Sequence, residues 1–297
     1  MPFLQVHLTL GDLDLERAEQ ACFATGALSV TLSDAGDAPI LEPAPGATPL
    51  WPTVSLSALY EAGSDRAALT SALGAAIGRP GCALRFEEVA DRAWEREWLK
   101  DFRPMRFGRR LWVCPGGQAP PAWAGSAAVI AWLDPGLAFG TGTHASTALC
   151  LEWLDSAALD GARVLDVGCG SGILAVAALR LGAASVTALD IDPQALTATR
   201  ENGERNAVAD RLAVQSATAP WGTGYDVVLA NILAEPLIEM APRFAAATRA
   251  GGALVLGGLL ASQADAVAGA CRPWFDMERA RIRDGWAGLA GRRRGRA

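Results

Sequence analysis

The chain lacks the residue patterns of a zinc-binding or secreted protein. Its six cysteines are scattered through 297 residues without a Cys-x-x-Cys pair, and only His7 and His144 offer imidazole ligands. A metal site is therefore not expected. The N-terminus has neither a basic segment nor a long apolar one, so no secretion signal is visible, and reduced thiols in a cytoplasm are the simplest interpretation.

An unbroken apolar span and a basic stripe are also missing. The longest uncharged stretch, residues 111–133, is interrupted by prolines and glycines, which predicts two buried strands joined by a loop and no membrane segment. The net charge of −6 disfavours direct binding to nucleic acid through phosphate contacts. With 51% hydrophobic residues, the chain can bury a core large enough for two domains.

The first 90 residues show alternating apolar patterns separated by helix signals. Leu4, Val6, Leu8 and Leu10 have the period of a half-buried strand, and aspartates follow that can cap a helix. Continued along the chain, the order is β-α-β-β-α-β, which is typical of a ferredoxin-like α+β domain. No catalytic constellation is visible in residues 1–90.

Residues 91–130 are interpreted as a linker helix with leading strands. Trp94 and Trp98 lie four residues apart, on one face of a helix expected at 91–101, and the strand 111–114 follows. The simplest interpretation is a helix packed between domains.

From residue 131 to 297, apolar strands alternate with segments of helical length. This alternation predicts a parallel sheet covered by helices on both faces, the layout of a Rossmann-like class I methyltransferase domain. The strands are expected at 163–167, 185–189, 212–215, 226–230 and 253–256, with an antiparallel pair near 277–281 and 285–289. The arginine-rich segment 292–296 is interpreted as a solvated tail.

The segment Val164-Leu-Asp-Val-Gly-Cys-Gly-Ser-Gly172 predicts a cofactor loop between a strand and a helix. Gly168, Gly170 and Gly172 permit a tight turn and let the backbone approach a ligand. The same glycines can be aligned with the dinucleotide pattern G-x-G-x-x-A, so a dinucleotide is the alternative cofactor.

Acidic residues near this loop favour S-adenosylmethionine. Asp166 is interpreted as facing the mouth of the loop, where it would repel a pyrophosphate but tolerate a cationic sulfonium ligand. Asp190, 20 residues after Gly170, is expected to accept hydrogen bonds from ribose hydroxyls. Asp192 is followed by Pro193, a pattern that predicts a helix N-cap instead.

Asn231 follows the fourth strand of the predicted sheet, at the edge where open α/β folds bind ligands. Its side-chain carbonyl could accept a hydrogen bond from a substrate amine and direct the nitrogen lone pair at the methyl group. A simple turn residue is the equal alternative. His144, with a reference pKa of about 6.5, is a poor base for a lysine ammonium.

The segment 133–147 contains three glycines and Phe139 and is expected to form a ligand-covering loop that enters a helix at about His144. Together with the glycine loop and Asn231-Ile-Leu-Ala, it closely resembles the bacterial ribosomal protein L11 methyltransferase family. The resemblance covers nearly the whole chain. It implies an N-terminal domain that captures the ribosomal protein and a methyltransferase domain that modifies its α-amine and lysine ε-amines.

By matching motif positions, the resemblance places cofactor contacts at Thr147, Gly168, Asp190 and Asn231, and makes Asn231 the residue that orients the amine. The other expected cofactor contacts are Asp166, Gly170, Gly172 and Phe139. Ala145-Ser146 departs from the more usual Pro-Thr of the family. Methylation of an RNA base or a glutamine amide, and a non-catalytic cofactor-binding protein, remain alternatives.

Overall fold

The computed structural model describes residues 3–11, 13–36, 49–89, 103–116, 118–133 and 142–295. The chain divides into two compact units, Met1–Trp94 and Glu95–Ala297. The finer division at residues 90 and 130 stays a prediction, and the helix expected at 91–101 lies outside the described residues.

The first unit has the predicted β-α-β-β-α-β order and the ferredoxin-like architecture. Its antiparallel strands lie in the order β2-β3-β1-β4. Alternate residues of β1 and β3 are buried, and they share one apolar core with the inner faces of both helices. The elements are β1 Phe3–Thr9, α1 Leu15–Ala24, β2 Ser29–Asp34, β3 Val54–Glu61, α2 Arg66–Ile77 and β4 Arg85–Val89.

The second unit contains the predicted parallel sheet and a separate small sheet. β5 Met105–Phe107, β6 Leu111–Pro115 and β7 Val129–Leu133 form this three-stranded sheet. Two strands thus lie within residues 111–133, as predicted, but only β6 is buried throughout, whereas β7 is buried at Ala131 and Leu133 alone. The elements that follow are α3 Ala145–Ser156, β8 Arg163–Val167, α4 Ile173–Arg180, β9 Ser185–Asp190, α5 Pro193–Arg205, β10 Leu212–Ser216, β11 Tyr225–Asn231, α6 Ala234–Glu239, α7 Ala241–Ala247, β12 Thr248–Leu260, α8 Ala264–Cys271, β13 Phe275–Met277, β14 Arg281–Arg283 and β15 Trp286–Arg293.

The large sheet has the strand order β10-β9-β8-β11-β12-β15-β13, and β14 also pairs with β15. Strands β8 to β12 are parallel to their neighbours, whereas β15 is antiparallel to β12. One apolar core packs α3 and α4 on one face of the sheet, and a second packs α6, α7 and α8 on the other. Both faces of the parallel strands are buried in apolar cores, and this burial explains the near-continuous apolar runs of the sequence.

The C-terminal segment differs from its prediction. Instead of one antiparallel pair at 277–281 and 285–289, two three-residue strands, β13 and β14, both pair with β15. Arg292 and Arg293 belong to β15 and not to a solvated tail, and Arg294 forms an ion pair with Asp276 at 2.7 Å. Within the described residues, no helix is long and apolar enough to span a membrane.

Candidate functional site

The glycine loop connects β8 to α4 at the carboxyl edge of the sheet. Gly168, Gly170 and Gly172 have φ values of 77°, 54° and 78°, in the left-handed region that glycine tolerates. A Cβ on Gly168 would clash with the Ile232 side chain, and one on Gly172 would lie 2.9 Å from Thr199 Oγ1. The turn and the packing within the protein therefore require glycine at these two positions, whether or not a ligand also approaches the backbone there.

Asp190 ties the glycine loop to the next strand. It ends β9, and its Oδ2 accepts a hydrogen bond from the N–H of Gly170 at 2.9 Å, while Oδ1 accepts one from the N–H of Asp192 at 3.0 Å. A carboxylate has about four acceptor positions, so Asp190 retains capacity for a ligand hydroxyl. The structure thus places the predicted ribose acid against the predicted cofactor loop.

Asp192 caps α5, as its sequence context predicts. Its carboxylate accepts a hydrogen bond from the N–H of Gln194 at 2.8 Å, and Pro193 is the first helical residue. The two neighbouring acids therefore have different structural partners.

We expect Asp192→Ala to lower the free energy of unfolding by about 1 kcal/mol, because a helix N-cap is lost. Chemical denaturation measures this change. Asp192→Ser retains a capping oxygen and should recover most of the stability. A large loss of cofactor affinity in Asp192→Ala would contradict the capping role and point to a ligand contact.

Asp166 is not at the mouth of the loop, where the sequence interpretation placed it. The side chain is 1% exposed, and its Oδ2 accepts a hydrogen bond from the N–H of Ala175 in the first turn of α4 at 3.1 Å. Burial raises the pKa of this carboxyl from 3.8 to about 7, and the Ala175 N–H partly opposes that shift. The prediction that an exposed Asp166 carboxylate would repel the pyrophosphate of a dinucleotide is therefore wrong. A contact between Asp166 and the cofactor stays a prediction.

The raised pKa of Asp166 predicts a pH-dependent stability. Because the folded protein favours the neutral acid, the contribution of this group to stability is complete below about pH 4 and is lost as the pH rises through about 7. The shift corresponds to at most about 4 kcal/mol. Without cofactor, Asp166→Asn should unfold at a higher temperature than the wild type at pH 8.5, and the gap should shrink toward pH 5.

Exposed Asp265, in the first turn of α8, offers the matched control. Asp265→Asn removes one carboxylate without changing a buried group, so its gap from the wild type should vary little over the same pH range. A constant gap for Asp166→Asn would contradict the proposed titration.

Asn231 and Thr147, 84 residues apart in sequence, are brought together at the carboxyl edge. Asn231 ends β11, and its Nδ2 donates a hydrogen bond to Thr147 Oγ1 at 3.0 Å. Thr147 is buried in the first turn of α3. Asn231 Oδ1 is buried and accepts no hydrogen bond from the described residues. The carboxamide is thus held on its nitrogen side and retains an unused acceptor.

His144 is the N-cap of α3, which begins at Ala145 despite the departure from Pro-Thr. Its Nδ1 lies 2.8 Å from Ser146 Oγ, and its ring packs edge-on against Trp286 with centroids 4.4 Å apart. Burial lowers the pKa of His144 below 6.5. The ring is therefore even less suited to removing a proton from an ammonium group.

Two side chains near the site were missed by the sequence interpretation. Trp286, at the start of β15, reaches His144 from a distant part of the chain, and no local pattern marks that contact. Ile191 directly follows Asp190 and is 83% exposed. Its position directly after the predicted ribose acid was the signal that the sequence offered for including it among the candidate site residues. Phe139 lies outside the described residues.

Comparisons with known proteins give matches over nearly the whole chain. The family model described as ribosomal protein L11 methyltransferase matches residues 2–294. The protein named ribosomal protein L11 methyltransferase from Methylococcus capsulatus is 53% identical over 292 residues, covering 98% of this chain and 99% of the relative. The protein of the same name from Pseudomonas aeruginosa is 49% identical over 295 residues, covering 99% of each.

A solved structure shares the same description. The crystal structure of ribosomal protein L11 methylase from Lactobacillus delbrueckii subsp. bulgaricus has a TM-score of 0.60 and 32% identity, over 65% of this chain and 100% of the other. Because the family model and relatives about 50% identical match nearly the whole chain, the chain belongs to the ribosomal protein L11 methyltransferase family.

Proposed function

We propose that this protein transfers methyl groups from S-adenosylmethionine to the α-amino group and lysine ε-amino groups of ribosomal protein L11. The observation that carries the proposal is the Asn231 carboxamide, fixed by Thr147 with its oxygen unused, at the sheet edge shared with the glycine loop. The names of the full-length relatives support the substrate.

The residues at the edge of the sheet suit S-adenosylmethionine. Asp190 offers acceptor capacity for ribose hydroxyls, and exposed Ile191 beside it offers an apolar surface to a base. Gly168 and Gly170 present backbone close to the Asp190 end of β9. When bound, the cofactor supplies an electrophilic methyl group on a cationic sulfur.

Asn231 orients the amine in this proposal. Its Oδ1 accepts a hydrogen bond from the target N–H, which directs the nitrogen lone pair toward the methyl group. A neutral carboxamide performs this role better than a carboxylate, because a carboxylate would stabilise the protonated ammonium form, which has no lone pair.

Deprotonation of the target costs free energy that the site must offset. At pH 7 a lysine with a reference pKa of about 10.4 costs roughly 4–5 kcal/mol, whereas an α-amine costs about 1 kcal/mol. His144, capping α3 with a lowered pKa, is a poor acceptor for that proton. The amine therefore loses its proton to water, and Asn231 then holds the neutral form.

The two units divide the task between capture and chemistry. Residues 1–90 are assigned to recognition of the ribosomal protein, and residues 131–297 to the cofactor and the transfer. Since the substrate is a ribosomal protein, the reaction belongs to the cytoplasm. Direct binding to nucleic acid is not required, in keeping with the net charge of −6.

Methyl transfer to isolated ribosomal components tests the function. The purified protein is incubated with S-adenosylmethionine labelled in its methyl group and with stripped ribosomal proteins or with ribosomal RNA. Label on L11, mapped by mass spectrometry to amino groups, supports the proposal. L11 with acetylated amines is the matched control and should accept no label. Label in RNA alone would favour base methylation, and no label would favour a non-catalytic binding protein.

A further inference from the structure

Gly257 lies beside Asn231 on the neighbouring strand. It is a buried residue of β12, and its register partner in β11 is Asn231. Its φ does not fall in the left-handed region, unlike that of the adjacent Gly258. The backbone conformation would therefore accept alanine, so any requirement for glycine at 257 must come from the surrounding atoms.

A side chain at Gly257 would collide with two groups at once. A Cβ would lie 2.8 Å from Cys150 Sγ and 2.9 Å from Asn231 Oδ1, with the Asn231 Cγ at 3.3 Å. Cys150 is 1% exposed and belongs to α3, so its sulfur has little space into which to move. The unused oxygen of Asn231 thus lies in space that a Cβ at residue 257 would enter.

Helix α3 contacts both Asn231 and Gly257. Thr147 and Cys150 are three residues apart and so lie on the same face of the helix. Thr147 bonds the Asn231 nitrogen, while Cys150 packs over Gly257. A methyl group at 257 would press on both the carboxamide and the helix that anchors it.

We propose that Gly257 is a positioning residue for the methyl transfer: its missing side chain leaves room for the Asn231 carboxamide oxygen and so fixes the orientation in which Asn231 meets the target amine. The proposal rests on the function assigned to Asn231. Gly257 acts through that residue and contributes no atom to the reaction.

Gly257→Ala tests the proposal, and Gly269→Ala is its matched control. A Cβ on Gly269, in α8, would meet no atom within 4 Å, and its φ is not left-handed. With L11 as substrate, we expect kcat of Gly257→Ala to fall about tenfold or more, in keeping with the cost of small misplacements of reacting groups. The dissociation constant for S-adenosylmethionine should change less than about threefold. Gly269→Ala should match the wild type in both quantities.

A spectroscopic signature separates positioning from loss of structure. The chain has three asparagines, Asn202, Asn206 and Asn231, so selective ¹⁵N-asparagine labelling gives three side-chain amide pairs. Gly257→Ala should shift the pair of Asn231 and leave the other two in place. An unmoved Asn231 signal together with unchanged kcat would overturn the proposal.

Cys150→Ala provides a rescue and a second test. The double variant Gly257→Ala/Cys150→Ala has room on the α3 side, so its kcat should exceed that of Gly257→Ala. It should still remain several-fold below that of Cys150→Ala, because the contact with Asn231 persists. Should Gly257→Ala fail to fold, the comparison of the double variant with Cys150→Ala decides. Equal kcat in these two variants would overturn the inference. Absence of L11 methylation by the wild type would instead refute the proposed function.

Discussion

Asn231→Ala is expected to lower kcat about 10²-fold, while the dissociation constant for S-adenosylmethionine changes by a much smaller factor. A misaligned nucleophile loses roughly this factor in enzymes that act by positioning. The loss should appear in kcat because Oδ1, the unused acceptor, interacts most strongly with the amine when its lone pair is aligned. Single-turnover transfer to L11 and calorimetric cofactor binding measure the two quantities.

Asn231→Asp is the matched control for shape. It preserves the size of the side chain but replaces the neutral amide with a carboxylate, which favours the unreactive ammonium. We expect its deficit to be greatest near neutral pH and to diminish as the pH rises and the amine deprotonates. A larger loss of cofactor affinity than of turnover in Asn231→Ala would overturn the assigned role.

The long elements were predictable from sequence because their apolar periodicity is local. The strands at 163–167 and 185–190 each contain three apolar residues within a short β-prone segment, and Asp192-Pro193 marks the start of α5 without reference to the rest of the chain. The strands β13 and β14 are only three residues each, and their pairing depends on β15. Arginine side chains that bind Ala245 O and Asp276 hold the end of β15 in the fold, so charge alone was a misleading sign of a solvated tail.

The positions of two proposed site residues were predictable because residue type and strand end coincide there. Asp190 and Asn231 each end a strand at the carboxyl edge, as the sequence predicts, and their roles stay proposals. Asp166 was misplaced because the direction of its side chain near the end of β8 depends on how α4 packs: its carboxylate accepts a hydrogen bond from the N–H of Ala175 in that helix. Trp286 was missed because its contact with His144 exists only after β15 joins the sheet.

Asp190→Ala is expected to raise the dissociation constant for S-adenosylmethionine about 10²-fold. Hydrogen bonds to a charged acceptor contribute about 1.5–3 kcal/mol each, so the loss of contacts to ribose hydroxyls accounts for a change of this size. The substitution also removes the acceptor for the N–H groups of Gly170 and Asp192, which loosens the glycine loop before ligand binds. At saturating cofactor kcat should fall far less, because Asn231 and Thr147 are bonded to each other and not to Asp190.

Asp192→Ala, two residues away, distinguishes the loss of a ligand contact from a general disturbance of this edge. Both variants lose a carboxylate near the start of α5. The Asp192 carboxylate, however, accepts a hydrogen bond from the N–H of Gln194 and so caps the helix. Only Asp190→Ala should weaken cofactor binding by more than about tenfold, as measured by calorimetry at one pH and salt concentration. Comparable losses in both variants would mean that the start of α5, and not the ribose contact, controls affinity. Because Asp190 also holds Gly170, Asp190→Asn, which retains an acceptor oxygen, should recover part of the affinity.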